Sequence, residues 1–124
     1  MILVDTSVWV NHLRAGDQAL VELLNARSVL THPFVLGELA LGDLRQRIVV
    51  LDSLSDLPQA RVATDAEVLH FIGGHRLFGR GIGYVDVHLL AAVRLTSGAA
   101  LWTHDKRLQS VAERLGLAMV RPKR

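Results

Sequence analysis

Four carboxylates interrupt apolar pattern in this chain, and carboxylates in such places are the groups most able to do chemistry. Asp5 closes the run Ile2-Leu3-Val4. Glu38 sits inside Phe34-Val35-Leu36-Gly37-Glu38-Leu39-Ala40-Leu41. Asp86 lies in Tyr84-Val85-Asp86-Val87, and Asp105 follows Ala100-Leu101-Trp102-Thr103. Singly, three have an ordinary reading: Asp5 and Asp105 stand where helix N-caps stand, and Asp86 in a first helical turn suits the helix dipole. Glu38 fits less easily, because its segment is apolar on both sides and glutamate is seldom buried without a partner. Brought together, four acids would repel one another and force protonation unless a cation joined them. A hard divalent ion such as Mg²⁺ or Mn²⁺ prefers such oxygen donors. It can then lower the pKa of an attacking water and stabilise both oxygens of a phosphoryl displacement.

The elements that must position these acids are legible as short apolar runs alternating with helical patterns. Ile2–Val4, Ser28–Leu30, Ala100–Thr103 and Ala118–Val120 read as strands, and Arg61–Ala63 as a weaker candidate. Val8–Leu13, Ala19–Leu24, Ile48–Leu54 and Lys106–Leu115 read as helices. Pro33 opens a helix reaching Leu41, as proline at a first helical position does. Thr64 or Asp65 caps a helix running to about Leu77. Val85–Leu95 is apolar on nearly every face and is expected to be central. Alternation of this kind predicts an α/β fold with a doubly wound parallel sheet and helices on both faces.

In such a sheet, ligands bind beyond the carboxyl ends of the strands. Asp5 and Asp105 each follow a strand directly, and right-handed connections allow those two strands to lie side by side. Glu38 and Asp86 lie near helix starts, which face the same edge. The remaining charge fits a polyanionic substrate. The 124 residues carry 14 Lys+Arg against 12 Asp+Glu, a net charge of +2. Setting the four acids aside leaves 14 cations against 8 anions, and twelve of the cations are arginine, whose planar fork suits phosphate. Arg80 and Arg107 are the candidate phosphate contacts.

In its four acid segments the chain resembles the PIN-domain ribonucleases, and in particular the VapC-type toxins. Ile2-Leu3-Val4-Asp5-Thr6-Ser7 is similar to the family's strand ending in D-x-S, and Pro33 to Leu39 to the segment of its second acid. Gly81 to Ala92 resembles the third acid before an apolar helix, and Leu101 to Leu108 the T-x-D segment. The order and spacing match over nearly the full chain. The resemblance implies a PIN-like three-layer α/β/α domain spanning residues 1–124, with a short, mostly parallel sheet of about five strands and a basic tail over residues 121–124. It implies a metal-dependent endoribonuclease that cuts cellular RNA, tRNA or rRNA, using Mg²⁺ with Mn²⁺ as a substitute. Asp5, Glu38, Asp86 and Asp105 are then the metal ligands. Ser7 and Thr103 join them in the catalytic set as hydroxyls that orient a carboxylate, a water or a phosphate. It further implies a homodimer and inhibition by a cognate VapB-type antitoxin.

Other classes fare worse. There is no cysteine, which excludes disulfides and thiolate metal sites. The start lacks the basic, longer apolar pattern of a signal peptide, and the run Leu89–Leu95 is too short to span a bilayer, so a cytoplasmic location without membrane contact is expected. The six histidines show no zinc spacing. His88 and His104, beside two of the acids, are expected at the surface or supporting a ligand. Gly79-Arg80-Gly81-Ile82-Gly83 follows a helix rather than a strand, so it fails as a nucleotide-binding fingerprint and reads as a loop at the site's mouth. Trp9 and Trp102 are expected in the core. A phosphatase using Asp5 as nucleophile needs a second aspartate two residues on, where this chain has Ser7. A non-catalytic RNA-binding module would have no use for four repelling acids.

Overall fold

A computed structural model describes residues 1–120. The chain runs β1 (Ile2–Val4), α1 (Thr6–Ala15), α2 (Gln18–Asn25), β2 (Val29–Leu30), α3 (Pro33–Ala40), α4 (Arg47–Ser55), α5 (Asp65–Gly74), α6 (Tyr84–Leu95), β3 (Ala100–Trp102) and α7 (Lys106–Arg114). The predicted tail at 121–124 lies outside the described residues.

All three strands are parallel, in the order β2-β1-β3. Ile2 pairs with Val29 on one side and with Ala100 on the other. The expected juxtaposition of the first strand with the one preceding Asp105 is therefore present. Leu3 and Val4 point to opposite faces of the sheet, and both are fully buried, as are Leu101 and Trp102 on β3. Both faces are covered, as a parallel sheet requires.

The sheet is smaller than the predicted five strands. Beyond β2 and beyond β3 the chain makes one isolated bridge each, Thr31 with Gln59 and Leu101 with Ala118. Pro58 offers Thr31 a carbonyl but has no N–H to continue a ladder. Arg61–Ala63 is not a strand among the described residues; the Arg61 N–H goes instead to Thr96 Oγ1 at the end of α6. Ala118–Val120 is likewise reduced to a single bridge, in which Leu101 N–H donates to Leu117 O and Met119 N–H donates to Leu101 O.

α6 is the central helix: Val87 to Val93 are all buried. Leu89 and Leu90 lose all solvent contact, a burial worth about 1.5–3 kcal/mol each. His88, expected nearer the surface, is buried with them, its ring between those of Phe34 (4.6 Å) and Tyr84 (4.7 Å). α5 is shorter than predicted, ending at Gly74, and is held at its start by a reciprocal pair: Thr64 Oγ1 accepts from the Glu67 N–H while Glu67 Oε1 accepts from the Thr64 N–H. No helix among the described residues is long and apolar enough to cross a membrane.

Candidate active site

β1 delivers Asp5 to the carboxyl edge of the sheet, where its backbone N–H donates to Trp102 O at 2.9 Å, the last rung between β1 and β3. The side chain is 6% exposed. Ser7 Oγ donates to Asp5 Oδ2 at 2.7 Å and Thr103 Oγ1 donates to the same oxygen at 2.8 Å. Each hydroxyl also accepts a backbone N–H, Ser7 from His104 and Thr103 from Asp105, both at 3.0 Å. Their single protons are thereby aimed at Asp5. Both hydroxyls thus converge on one oxygen of the Asp5 carboxylate.

Asp105 caps α7, its Oδ1 accepting from the Leu108 N–H at 3.0 Å. Asp86 sits in the first turn of α6 and accepts from the Gly83 N–H at 3.0 Å. So the capping reading of Asp105 describes a real contact, and Asp86, read as serving the helix dipole, bonds back to the residue before its helix. Asp5 is positioned as the N-cap of α1 but makes no side-chain cap bond. Glu38 is not the buried glutamate expected from its apolar segment. It is exposed, because that face of α3 looks into the acid pocket rather than the core, and its Oε1 accepts from Thr6 Oγ1 at 2.6 Å.

Asp86 shows that the four acids converge. Its pKa is raised above the ordinary carboxylate value, first by burial and then by the charges of Asp5, Asp105 and Glu38, against the lowering effect of the Gly83 N–H. Three carboxylates from three other elements are therefore within electrostatic reach of it. Nothing opposes them: among the described residues the one ion pair is His88 with Asp65, at 3.4 Å. Asp5 is a buried carboxylate whose side-chain partners are the two hydroxyls, with no cation paired to it among the described residues. The donor set suits a hard divalent ion in its chemistry. No three of the acids already form a closed ligand cluster among the described residues. Each has an oxygen held by a nearby hydroxyl or N–H, and joint ligation would need the side chains to turn from those positions.

Arg80 and Arg107 do not join the acids but line a cleft beside them, together with Lys106 and Arg114. Sequence reasoning did not single out Lys106, Arg114 or Thr6. Arg107, Ser110, Val111 and Arg114 do share one face of α7 by their three- and four-residue spacing, a signal that could have drawn the cleft together. Thr6 had no such signal, since its partner Glu38 is 32 residues away. Trp9 and Trp102 are buried, as expected.

Comparison with known proteins agrees with this geometry. A family model described as "PIN domain" matches residues 2–114. The chain is 55% identical over 119 residues to the protein named Ribonuclease VapC32 in Mycobacterium tuberculosis strain CDC 1551 / Oshkosh, covering 96% of each chain. The protein of that name from strain ATCC 25618 / H37Rv matches to the same extent. With its acids gathered at the β1–β3 edge and this match over nearly its whole length, the chain belongs to the PIN-domain family, with VapC-type relatives.

Proposed function

We propose that this chain is a single-domain endoribonuclease toxin, hydrolysing phosphodiester bonds of cellular RNA, with tRNA or rRNA as the target, and neutralised by a VapB-type antitoxin. The observation that carries the reading is the unopposed convergence of Asp5, Glu38 and Asp105 on Asp86. The names of the relatives support the ribonuclease activity.

In this reading Asp5, Glu38, Asp86 and Asp105 hold Mg²⁺, with Mn²⁺ as a substitute. The bound ion supplies an activated water and charge stabilisation at phosphorus. The rest is done by the chain itself. Ser7 and Thr103 fix one oxygen of Asp5 and so turn its other oxygen toward the pocket. Thr6 restrains Glu38 at the exposed rim. Asp86 has a raised pKa, so a cation beside it would favour its ionised form. Arg80 and Arg107 contact phosphates outside the reacting centre. An antitoxin would oppose all of this most directly by placing a guanidinium among the acids, where it can pair bidentately. A homodimer follows from the resemblance alone.

The test is incubation of the purified protein with total RNA in Mg²⁺, in Mn²⁺ and in excess chelator, with cleavage sites mapped. Discrete cuts that disappear with chelator and with Asp86→Asn are expected. Cleavage that persists at full rate in either case would overturn the assignment.

A further inference from the structure

Beside the acid pocket lies a cleft of about 280 Å³, lined by Arg80, Lys106, Arg107, Ser110, Val111 and Arg114. Four of the six side chains are cations, and none is an acid. None of the four takes part in the one ion pair found among the described residues. Four like charges around one small concavity repel one another, and an anion among them would relieve that repulsion.

They are held there. Arg80 Nε donates to Arg76 O at 3.3 Å, and an Arg114 NH₂ group donates to His75 O at 3.0 Å, so both ends are anchored to the loop after α5. Arg107 lies across Gly81: a Cβ at position 81 would come within 2.8 Å of its guanidinium and 3.0 Å of its Cδ. Gly81 also has φ +76°, a conformation that a side chain strains. The glycine thus meets two demands at once, a left-handed turn and a seat for an arginine. The same loop continues through Gly83, whose N–H binds Asp86, into the first turn of α6. On the opposite wall, Asp105 directly precedes Lys106 and Arg107. Both walls of the cleft therefore run straight into the acid pocket.

We infer that this cleft is a flanking subsite that holds the backbone phosphates of an RNA strand beside the scissile bond. Resting on the ribonuclease reading above, it adds where the strand lies: along α7 and the Gly79–Gly83 loop. The composition suits a backbone rather than a base. Charged forks and an ammonium recognise phosphate without regard to sequence, and no aromatic ring lines the cleft to stack a base. Base selection must then come from elsewhere on the protein.

The test separates binding from cleavage. Affinity for a fluorescently labelled single-stranded RNA is measured against salt in Asp86→Asn protein and in the same protein carrying Arg107→Gln, Lys106→Gln or Arg114→Gln. Arg14→Gln, at the far end of α1, controls for the loss of a charge as such. Each cleft change is expected to weaken binding about three- to tenfold at low salt and to flatten the salt slope by up to about 0.7. Gly81→Ala keeps every charge but displaces Arg107, and is expected to weaken binding as Arg107→Gln does. Should it fold poorly, the glutamine variants decide alone. Cleft variants that bind with the affinity and slope of Arg14→Gln would overturn the subsite. A wild-type protein that cuts no RNA in any divalent metal would instead overturn the nuclease reading, and the affinity comparison would still decide the cleft.

Discussion

Thr103 Oγ1 donates to Asp5 Oδ2 at 2.8 Å across 98 residues of chain, fastening the end of β3 to the end of β1 at the bottom of the acid pocket. The same hydroxyl accepts from the Asp105 N–H, so one side chain orients the Asp5 carboxylate and holds the backbone of a second acid. Thr103→Val, which keeps the shape and removes the hydroxyl, is expected to lower RNA cleavage about 10- to 100-fold, the usual cost of losing a partner that orients a metal ligand. It should also raise the Mg²⁺ or Mn²⁺ concentration needed for half-maximal rate. An unchanged metal requirement together with an unchanged rate would remove Thr103 from the positioning set.

Asp86→Asn is expected to stabilise the metal-free protein. Because the folded pKa of Asp86 is raised, the fold favours its protonated form. That contribution is present below the ordinary carboxylate pKa and is lost as pH rises through the folded value. At neutral pH the ionised side chain is therefore a cost that asparagine does not carry, while an amide oxygen still accepts from Gly83. The side chain is only half-buried, so solvent screening limits the gain to about 1 kcal/mol at most. Thermal melts in chelator should place the variant above the wild type, with the gap closing in acid. Added Mg²⁺ or Mn²⁺ should reverse the order, since only the wild type gains full ligand-linked stability. A variant that melts below the wild type in chelator, with no metal shift in either protein, would mean the carboxylate is a cap and nothing more.

Acid should destabilise the protein through His32. This residue is fully buried as the N-cap of α3, where Nδ1 accepts from the Phe34 N–H and must be unprotonated. Burial, reinforced by the neighbouring His88, lowers its pKa from 6.5 to about 4. The unfolded chain takes up a proton near pH 6.5 and the folded chain does not, so stability is full above 6.5 and falls as pH drops toward 4. The drop amounts to about 3 kcal/mol at its limit. His32→Asn retains an acceptor for the cap. It should be less stable at pH 7 but show a flatter acid limb in urea melts taken between pH 7 and pH 4. Parallel limbs for the two proteins would assign the acid loss to other groups.

Thr64→Ala serves as a structural contrast. It removes the hydroxyl that accepts from the Glu67 N–H at the start of α5, and leaves the return bond from the residue-64 N–H to Glu67 Oε1 in place. A cost of about 1 kcal/mol in urea or thermal unfolding is expected, with RNA cleavage unchanged at temperatures where the protein stays folded. A fall in cleavage comparable to that of Asp86→Asn would show instead that the start of α5 helps to set the pocket.

The four acids could be read from the sequence because each breaks a local rule: a charge at the end of an apolar run, or inside one, is visible without knowing the fold. The neighbouring of β1 and β3 was legible too, since the handedness of parallel connections leaves few layouts. So was the central place of α6, from its all-round apolarity. Everything that depended on a distant partner had to wait for the tertiary structure. Glu38 looked buried because its chain neighbours are apolar, yet the packing of α3 turns it toward solvent and Thr6. Arg61–Ala63 has strand-like residues, but Thr96 takes the N–H a ladder would need. Gly81 was recognisable as a loop residue, while the arginine that lies on it comes from α7, 26 positions later in the chain. Side-chain type and local spacing determine which residues are out of place in a pattern; which of them meet, and which cations stand beside them, is decided by contacts between segments far apart in sequence.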